Sequence, residues 1–304
     1  MATLLNLGNT CAVNSILQCI AKANFKIDTI QIPEPGSYTI ILLNLVHSIR
    51  QKINKTISPK IFINKLYNTF NIFVRNEQID AQELWIMLCN KVASETSTNT
   101  ETLPHIKNVL NSKLYVQAEQ QISKHNEGKF SVWMELFQGI MLSTFICKNC
   151  SHAAHRFEPF YTLELIPDID IVKMLKTFFE YNEDNSTTII CDKCNKGVHY
   201  RRYDRLYYIP NYVVFTIKRF DNLGNKIRTP MNINRNIQIS TKSYEKKLEL
   251  VACVFHHGIS VHGGHYAMYS ALDNCIYDDS SKIEIDFDIL KDNKDIYMVF
   301  YRIV

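Results

Sequence analysis

No uninterrupted apolar run in the sequence approaches the roughly 18 residues that a membrane-spanning helix needs. The N-terminus, MATLLNLGNTCAVNS, has neither the basic start nor the long apolar stretch of a secretory signal. Excess charge is also small. The 34 Lys and Arg stand against 30 Asp and Glu, a net +4 over 304 residues. That balance gives no argument for nucleic acid, and no clustered basic helix of the groove-reading kind is evident. Hydrophobic residues make up 46% and charged residues 21%, so disorder is not the reading either. These absences leave an intracellular protein, cytoplasmic or nuclear, with enough chain for one large domain or two small ones.

The first part of the chain reads helical. Val13, Ile16, Leu17 and Ile20 repeat at helical spacing behind Cys11, with Thr10 placed to cap. Tyr38–Ile53 carries the same pattern, and Ser58-Pro59 opens a further helix at Lys60. Asp80–Val92 fits another, and Ser94–Thr102 reads as a loop. Beyond about Lys129 the segments Phe157–Ile166, Tyr207–Phe220, Leu248–His256, His265–Leu272 and Tyr297–Val304 are rich in Tyr, Phe, Val and Ile, as strands are. Glu180–Thr187 reads as a polar break between sheet segments. The fold class is therefore α+β, a helical N-terminal part and a strand-rich remainder.

The chain has 9 cysteines, an odd number. Four form two C-x-x-C turns, Cys147/Cys150 and Cys191/Cys194. In a reducing compartment such turns point to metal ligation or redox chemistry rather than a disulfide framework. Two turns about 40 residues apart suit a four-thiolate zinc site, which has no open position and is structural. His152 and His155 leave a mixed Cys2His2 site open as an alternative. Free thiols are the remaining one.

Cys11 stands at the predicted start of a helix, where unpaired N–H groups and the helix dipole favour a thiolate. Gly8 permits an unusual backbone just upstream. Asn6 and the Cys11 N–H are candidate donors to an oxyanion. Taken alone, Cys11 reads more readily as a small buried hydrophobe, the usual fate of a free cysteine. Far downstream, Gly263-Gly264-His265-Tyr266 opens a strand, and Tyr277-Asp278-Asp279 supplies carboxylates able to orient an imidazole. Cysteine, then histidine, then a carboxylate is the papain-like order. His256, His257 and His262 read as ordinary loop or strand histidines.

These residues resemble a known set. Asn6-Leu7-Gly8-Asn9-Thr10-Cys11 with Asn14-Ser15 and Leu17-Gln18 resembles the Cys box of ubiquitin-specific proteases. Gln78-Ile79-Asp80-Ala81-Gln82-Glu83-Leu84 resembles their glutamine–aspartate box. Phe137-Gln138-Gly139, the cysteine pairs, Thr216–Phe220, and Gly263-Gly264-His265-Tyr266 with Tyr277-Asp278-Asp279 follow in the family's order across nearly the whole chain. The resemblance implies one catalytic domain over residues 1–304: a helical thumb (about 1–128), mainly zinc-tipped β-fingers (about 129–225) and a β-rich palm (about 226–304). It implies Cys11 as nucleophile, His265 as base, Asp278 as third triad member with help from Asp279, and Asn6 as oxyanion donor. Asp80 and Glu83 would meet the arginine-bearing tail of ubiquitin, and Tyr266 and Gly264 would line the channel for its two glycines. One structural zinc on Cys147, Cys150, Cys191 and Cys194 would be the sole cofactor. The expected partners are ubiquitin and ubiquitinated proteins, with no nucleic acid or membrane, and a monomeric state. The chain reads as a minimal catalytic core. Ala12 and Val13 depart from the aromatic residue and methionine usual after the nucleophile, and Leu84-Trp85 from the usual phenylalanine-leucine. Other readings are a protease for another modifier ending in two glycines, a catalytically silent ubiquitin-binding module, or a zinc-containing nucleic-acid binder.

Overall fold

The computed structural model describes residues 1–31, 34–101, 103, 112–180, 182–241, 244–260 and 263–304. His262 and Thr102, both placed in sequence-based readings, lie outside these residues. The first elements are helical: α1 (Cys11–Ala23), α2 (Tyr38–Gln51), α3 (Lys60–Thr69), α4 (Ala81–Thr96), α5 (Ser112–His125) and α6 (Val132–Phe137). Two short pairings accompany them. β1 (Thr3–Leu4) lies parallel to β2 (Thr56–Ile57), and β3 (Thr98–Asn99) pairs with β4 (Lys129–Phe130).

The predicted helices form, with shifted ends. Ser37 Oγ accepts from Ile40 N and caps α2, and Pro59 precedes α3. Helix α4 continues through Thr96, so Ser94–Thr96 is helix rather than the expected loop. Thr96 Oγ1 is held between Val92 O (2.7 Å) and Ser131 Oγ (2.6 Å), which absorbs a polar side chain that otherwise reads as loop. Thr10 stands at the N-cap position of α1 without capping it. Its hydroxyl instead accepts from Leu7 N and donates to Asn6 Oδ1.

All 13 residues of α1 are buried. A helix buried all round lies at the centre of a fold, and α1 packs against α2, α4 and the sheet. Its polar residues are used as ties. Gln18 donates to Ala2 O (2.8 Å), Asn14 to Asp279 Oδ1 (2.7 Å), and Lys22 pairs with Asp273 (2.8 Å). They hold the N-terminal strand and one sheet hairpin against the helix.

The remaining strands make two sheets. In chain order they are β5 (Gly139–Cys147), β6 (Ala153–Phe160), β7 (Leu163–Leu165), β8 (Asn182–Ile190), β9 (Gly197–Tyr208), β10 (Tyr212–Ile217), β11 (Asn236–Ser240), β12 (Glu245–Ser260), β13 (Gly263–Ser270), β14 (Cys275–Asp278), β15 (Ser281–Glu284) and β16 (Ile296–Ile303). A four-stranded ribbon runs β6-β5-β9-β8, and an eight-stranded sheet runs β15-β14-β13-β12-β16-β10-β7 with β11 beside β12. The expected polar break at Glu180–Thr187 is in fact largely strand, since β8 begins at Asn182 and pairs with β9. Ladder hydrogen bonds carry that strand without an apolar face. Helix α7 (Ile171–Phe178), capped by Asp170 Oδ1, interrupts the strand-rich half.

The large sheet is covered on both faces. Tyr212, Val214, Met268, Met298 and Phe300 meet the helices, while Val213, Phe215, Val299 and Tyr301 face the side that carries α7. This explains why all six residues of β10 are buried. Trp85 joins the layers: its ring meets Phe137 of α6 at 5.3 Å and Phe300 of β16 at 5.2 Å, and its indole N–H donates to Tyr161 O at 2.9 Å. Replacing Trp85 with alanine should cost about 3–5 kcal/mol through the cavity left, plus the unpaired carbonyl. Equilibrium denaturant unfolding checks this; a loss below about 1 kcal/mol would show that Trp85 does not bear the layer contact.

Candidate active site

The loop before α1 is shaped by two left-handed residues, Gly8 (φ +94°) and Asn9 (φ +52°). A Cβ at Gly8 would also press on Asn76 Oδ1 at 3.0 Å, so the expectation of an unusual backbone there is met. The tight path folds Asn6 back toward the start of α1. Asn6 Oδ1 accepts from Gly8 N (3.0 Å), Thr10 N (3.3 Å) and Thr10 Oγ1 (3.2 Å), which fixes the amide's orientation. Its Nδ2 donates to Asp279 Oδ2 at 2.8 Å. One of its two N–H bonds is thereby engaged and the other is left for a further acceptor.

Cys11 is 3% exposed. Burial pushes its thiol up, against the lowering by a hydrogen bond from the Tyr266 backbone N–H and those at the helix start. Desolvation thus opposes the thiolate that the helix start favours.

His265 lies near the start of β13, half-exposed, with Nε2 2.6 Å from Asp278 Oδ1. Nδ1 is left for another partner. Among the described residues no hydrogen bond joins His265 to Cys11 Sγ; the backbone N–H of the next residue, Tyr266, favours the ionised thiol. Asp278 ends β14, and Asp279 follows in a left-handed conformation (φ +49°). The turn sends the two neighbouring carboxylates apart. Asp278 takes His265, while Asp279 accepts from Asn6 and, through Oδ1, from Asn14 Nδ2 (2.7 Å).

The expected tail-binding residues divide. Asp80 Oδ1 caps α4, accepting from Gln82 N and Glu83 N at 2.9 Å. Its Oδ2 accepts from Tyr297 OH (2.7 Å) and Tyr266 OH (3.3 Å). Both oxygens are thus committed within the protein. Glu83 is exposed. Tyr266 is 4% exposed, with its ring against the imidazole of His256 at 4.7 Å. Gly264 is glycine for an inward reason: a Cβ there would sit 2.3 Å from His256 Nε2. His256, read as an ordinary histidine, is buried and pushed down to about 4 by burial and by Lys226. It is therefore a neutral wedge under the β13 backbone.

Sequence reading gave no separate role to Gln78 or Tyr297. Gln78 stood only within its motif, two residues before Asp80, and nothing marked Tyr297 among 16 tyrosines. Yet Gln78 bonds Gly264 and Tyr297 bonds Asp80.

At the far end of the ribbon, Cys147, Cys150, Cys191 and Cys194 bring their sulfurs within 4.8 Å of one another. Cys147–Cys194 is 4.0 Å and Cys150–Cys191 is 3.7 Å. Tetrahedral thiolate coordination at about 2.3 Å sets sulfurs about 3.8 Å apart, so the four residues fit a metal ion. Backbone N–H groups, that of Cys194 first, hold the Cys191 thiol down to about 6, favouring the thiolate a metal needs. The histidines stand outside this group. His155 Nδ1 is taken by Thr144 Oγ1 at 3.1 Å, and His152 supplies its carbonyl to Cys147 N.

Known proteins are similar to this chain. The chain is 27% identical over 326 residues to ubiquitin carboxyl-terminal hydrolase 20 of Arabidopsis thaliana, covering 99% of this chain and 43% of that protein. It is 25% identical over 310 residues to ubiquitin carboxyl-terminal hydrolase 2 of Bos taurus, covering 88% and 49%. It therefore spans less than half the length of these two relatives. Among solved structures it is similar to a chain of the SAGA DUB module Ubp8/Sgf11/Sus1/Sgf73 bound to ubiquitin aldehyde. The TM-score is 0.74 at 18% identity, covering all of this chain and 70% of that one, a likeness of fold. The family model described as ubiquitin carboxyl-terminal hydrolase matches residues 2–301, and with nearly the whole chain inside that span, Cys11 and His265 included, the chain belongs to the ubiquitin carboxyl-terminal hydrolase family.

Proposed function

We propose that this chain is a thiol-dependent deubiquitinase that hydrolyses the isopeptide bond after the C-terminal Gly-Gly of ubiquitin on conjugated proteins. One observation carries the reading. At the end of β14, neighbouring Asp278 and Asp279 reach His265 Nε2 and Asn6 Nδ2 respectively, beside the helix that begins with Cys11. Asp278 occupies Nε2, so Nδ1 of His265 is the nitrogen to take the Cys11 proton. The thiolate attacks the glycine carbonyl. The free N–H of Asn6 and the Cys11 backbone N–H donate to the oxyanion. Imidazolium then protonates the departing lysine amine, leaving a thioester. His265 deprotonates water for the second attack, and Cys11 leaves as thiolate.

In this reading the helical layer is the thumb, the four-stranded ribbon the fingers, and the eight-stranded sheet the palm. Of the two acidic candidates, exposed Glu83 is the one we assign to a tail arginine. Asp80 acts from behind by fixing Tyr266. The four cysteines hold one structural zinc, which closes the ribbon tip; these thiolates supply its whole coordination sphere.

A ubiquitin carrying a C-terminal electrophile should label the full chain at Cys11 and fail with Cys11→Ala. A folded wild type that stays unlabelled ends the proposal. Labelling by another Gly-Gly modifier in preference to ubiquitin would move the substrate assignment to that modifier. Glu83→Ala should raise KM for a fluorogenic ubiquitin substrate roughly two- to five-fold, the worth of an exposed ion pair, and leave kcat unchanged. An unaltered KM removes Glu83 from the tail site. Metal analysis should find about one zinc per chain, and chelation should lower ubiquitin affinity while loosening the ribbon. A folded chain with well under one zinc contradicts the assignment.

A further inference from the structure

The backbone around His265 is covered unevenly by its own sheet. On one side β13 pairs with β12, but the register shifts between His257 and Ser260, leaving Gly264 at an irregularity between the pairs His257↔His265 and Ser260↔Gly263. On the other side β14 covers β13 only from Met268 to Ser270. Gly264 and Tyr266 are two residues apart and so present their N–H groups to one edge, beyond the end of β14. Both find partners on the helical layer. Gly264 N donates to Gln78 Oε1 at 2.7 Å, and Gln78 Nε2 donates back to Gly264 O. The N–H of Tyr266 lies toward the Cys11 thiol and favours its ionised form.

The side-chain amide of Gln78 thus offers the donor and acceptor that a neighbouring strand's peptide would. It grips the residue just before His265. The grip has a rigid mount. Two residues on, Asp80 is bonded to Tyr266 and Tyr297 and caps α4. Underneath, His256 blocks any inward shift of Gly264.

Resting on the roles proposed above for Cys11 and His265, we infer that Gln78 is a positioning residue for the reaction: its two-bond clasp on Gly264 sets His265 Nδ1 against the Cys11 thiol. It touches neither the thiol nor the imidazole. Its effect passes through the backbone, and small misplacements of a base are costly to rate.

The test uses the full chain with ubiquitin linked to a fluorogenic amine. Gln78→Ala removes both bonds. Gln78→Glu keeps the acceptor for Gly264 N–H and loses the donor. Gln238→Ala, on the exposed face of β11, is the control. Gln78→Ala should lower kcat about ten- to hundred-fold, with KM within about two-fold of wild type. Gln78→Glu should fall between, and Gln238→Ala should match wild type. The acid limb of the pH profile of kcat/KM, which reports the free enzyme's base, should move in Gln78→Ala and stay in place in Gln238→Ala. If the alanine variant does not fold, the glutamate variant decides. An unchanged kcat overturns the inference. So does a rise in kcat/KM, which would make the clasp a bar across the channel, or a change confined to KM, which would make Gln78 a substrate contact. Absence of turnover in wild type instead counts against the proposed function, leaving the two failures distinct.

Discussion

A strand edge must be paired, covered or hydrated, because its N–H and C=O groups cannot be left empty without cost. The N-terminal end of β13 is such an edge, and the two reacting side chains of the proposed mechanism meet across it. Cys11 comes from the helical layer and His265 from the sheet, 254 positions apart in the chain. What joins them is a short seam of hydrogen bonds: Gln78 on the Gly264 backbone, and Asp80 on the hydroxyls of Tyr266 and Tyr297. The same hydrogen bonds that close the layers together set the geometry of the cleft. Burying α1 on every side makes the seam stiff, since the helix that presents Cys11 has no freedom to tilt.

Electrostatics then divides the labour. Burial makes Cys11 a reluctant acid, so its reactivity depends on the base rather than on the helix dipole. Half-exposed His265 keeps access to water, which the second half of the reaction requires. Two adjacent carboxylates would repel if they shared one target. The left-handed turn at Asp279 separates them, one to the imidazole and one to the amides of Asn6 and Asn14. Aspartate tolerates that conformation better than most residues, so the turn is stable without glycine. Asn6 is locked through its oxygen by three donors from the following loop and through its nitrogen by Asp279. It is thus aimed before any substrate arrives, as the oxyanion role proposed for it requires.

Much of this was legible from residue spacing. The four cysteines declared themselves because a C-x-x-C turn has few other uses in a reducing compartment, and the structure gathers their sulfurs. The helices at Cys11, Tyr38, Lys60 and Ala81 followed from period and punctuation. What escaped were elements whose stability is non-local. Strand β8 is polar and held by its ladder to β9. Helices α6 and α7 are short, 6 and 8 residues, and rest on capping and tertiary packing that a periodic pattern of that length cannot reveal. Asp80 shows the same limit at the site. Its cap was readable as an acidic residue before a helix, but its second oxygen is taken by tyrosines 186 and 217 positions away. Gly264 looked like room for a ligand, whereas the room is filled from below by His256.

The departures from the family pattern bear on where this chain differs. Ala12 and Val13 follow Cys11 and are each 1% exposed. They face the core, so their change alters packing around α1 rather than the cleft. Trp85, larger than the usual leucine, sits fully buried between α6 and β16. Small residues on α1 and a large one on α4 belong to one hydrophobic cluster. A core at crystal-like density accepts such exchanges when total volume is kept. Positions 12, 13 and 85 are thus constrained chiefly by volume. Hydrogen-bond direction is the constraint at Asn6, Gln78, Asp80 and Asp279. At those positions a change of donor or acceptor breaks the seam, and no neighbour can compensate by repacking.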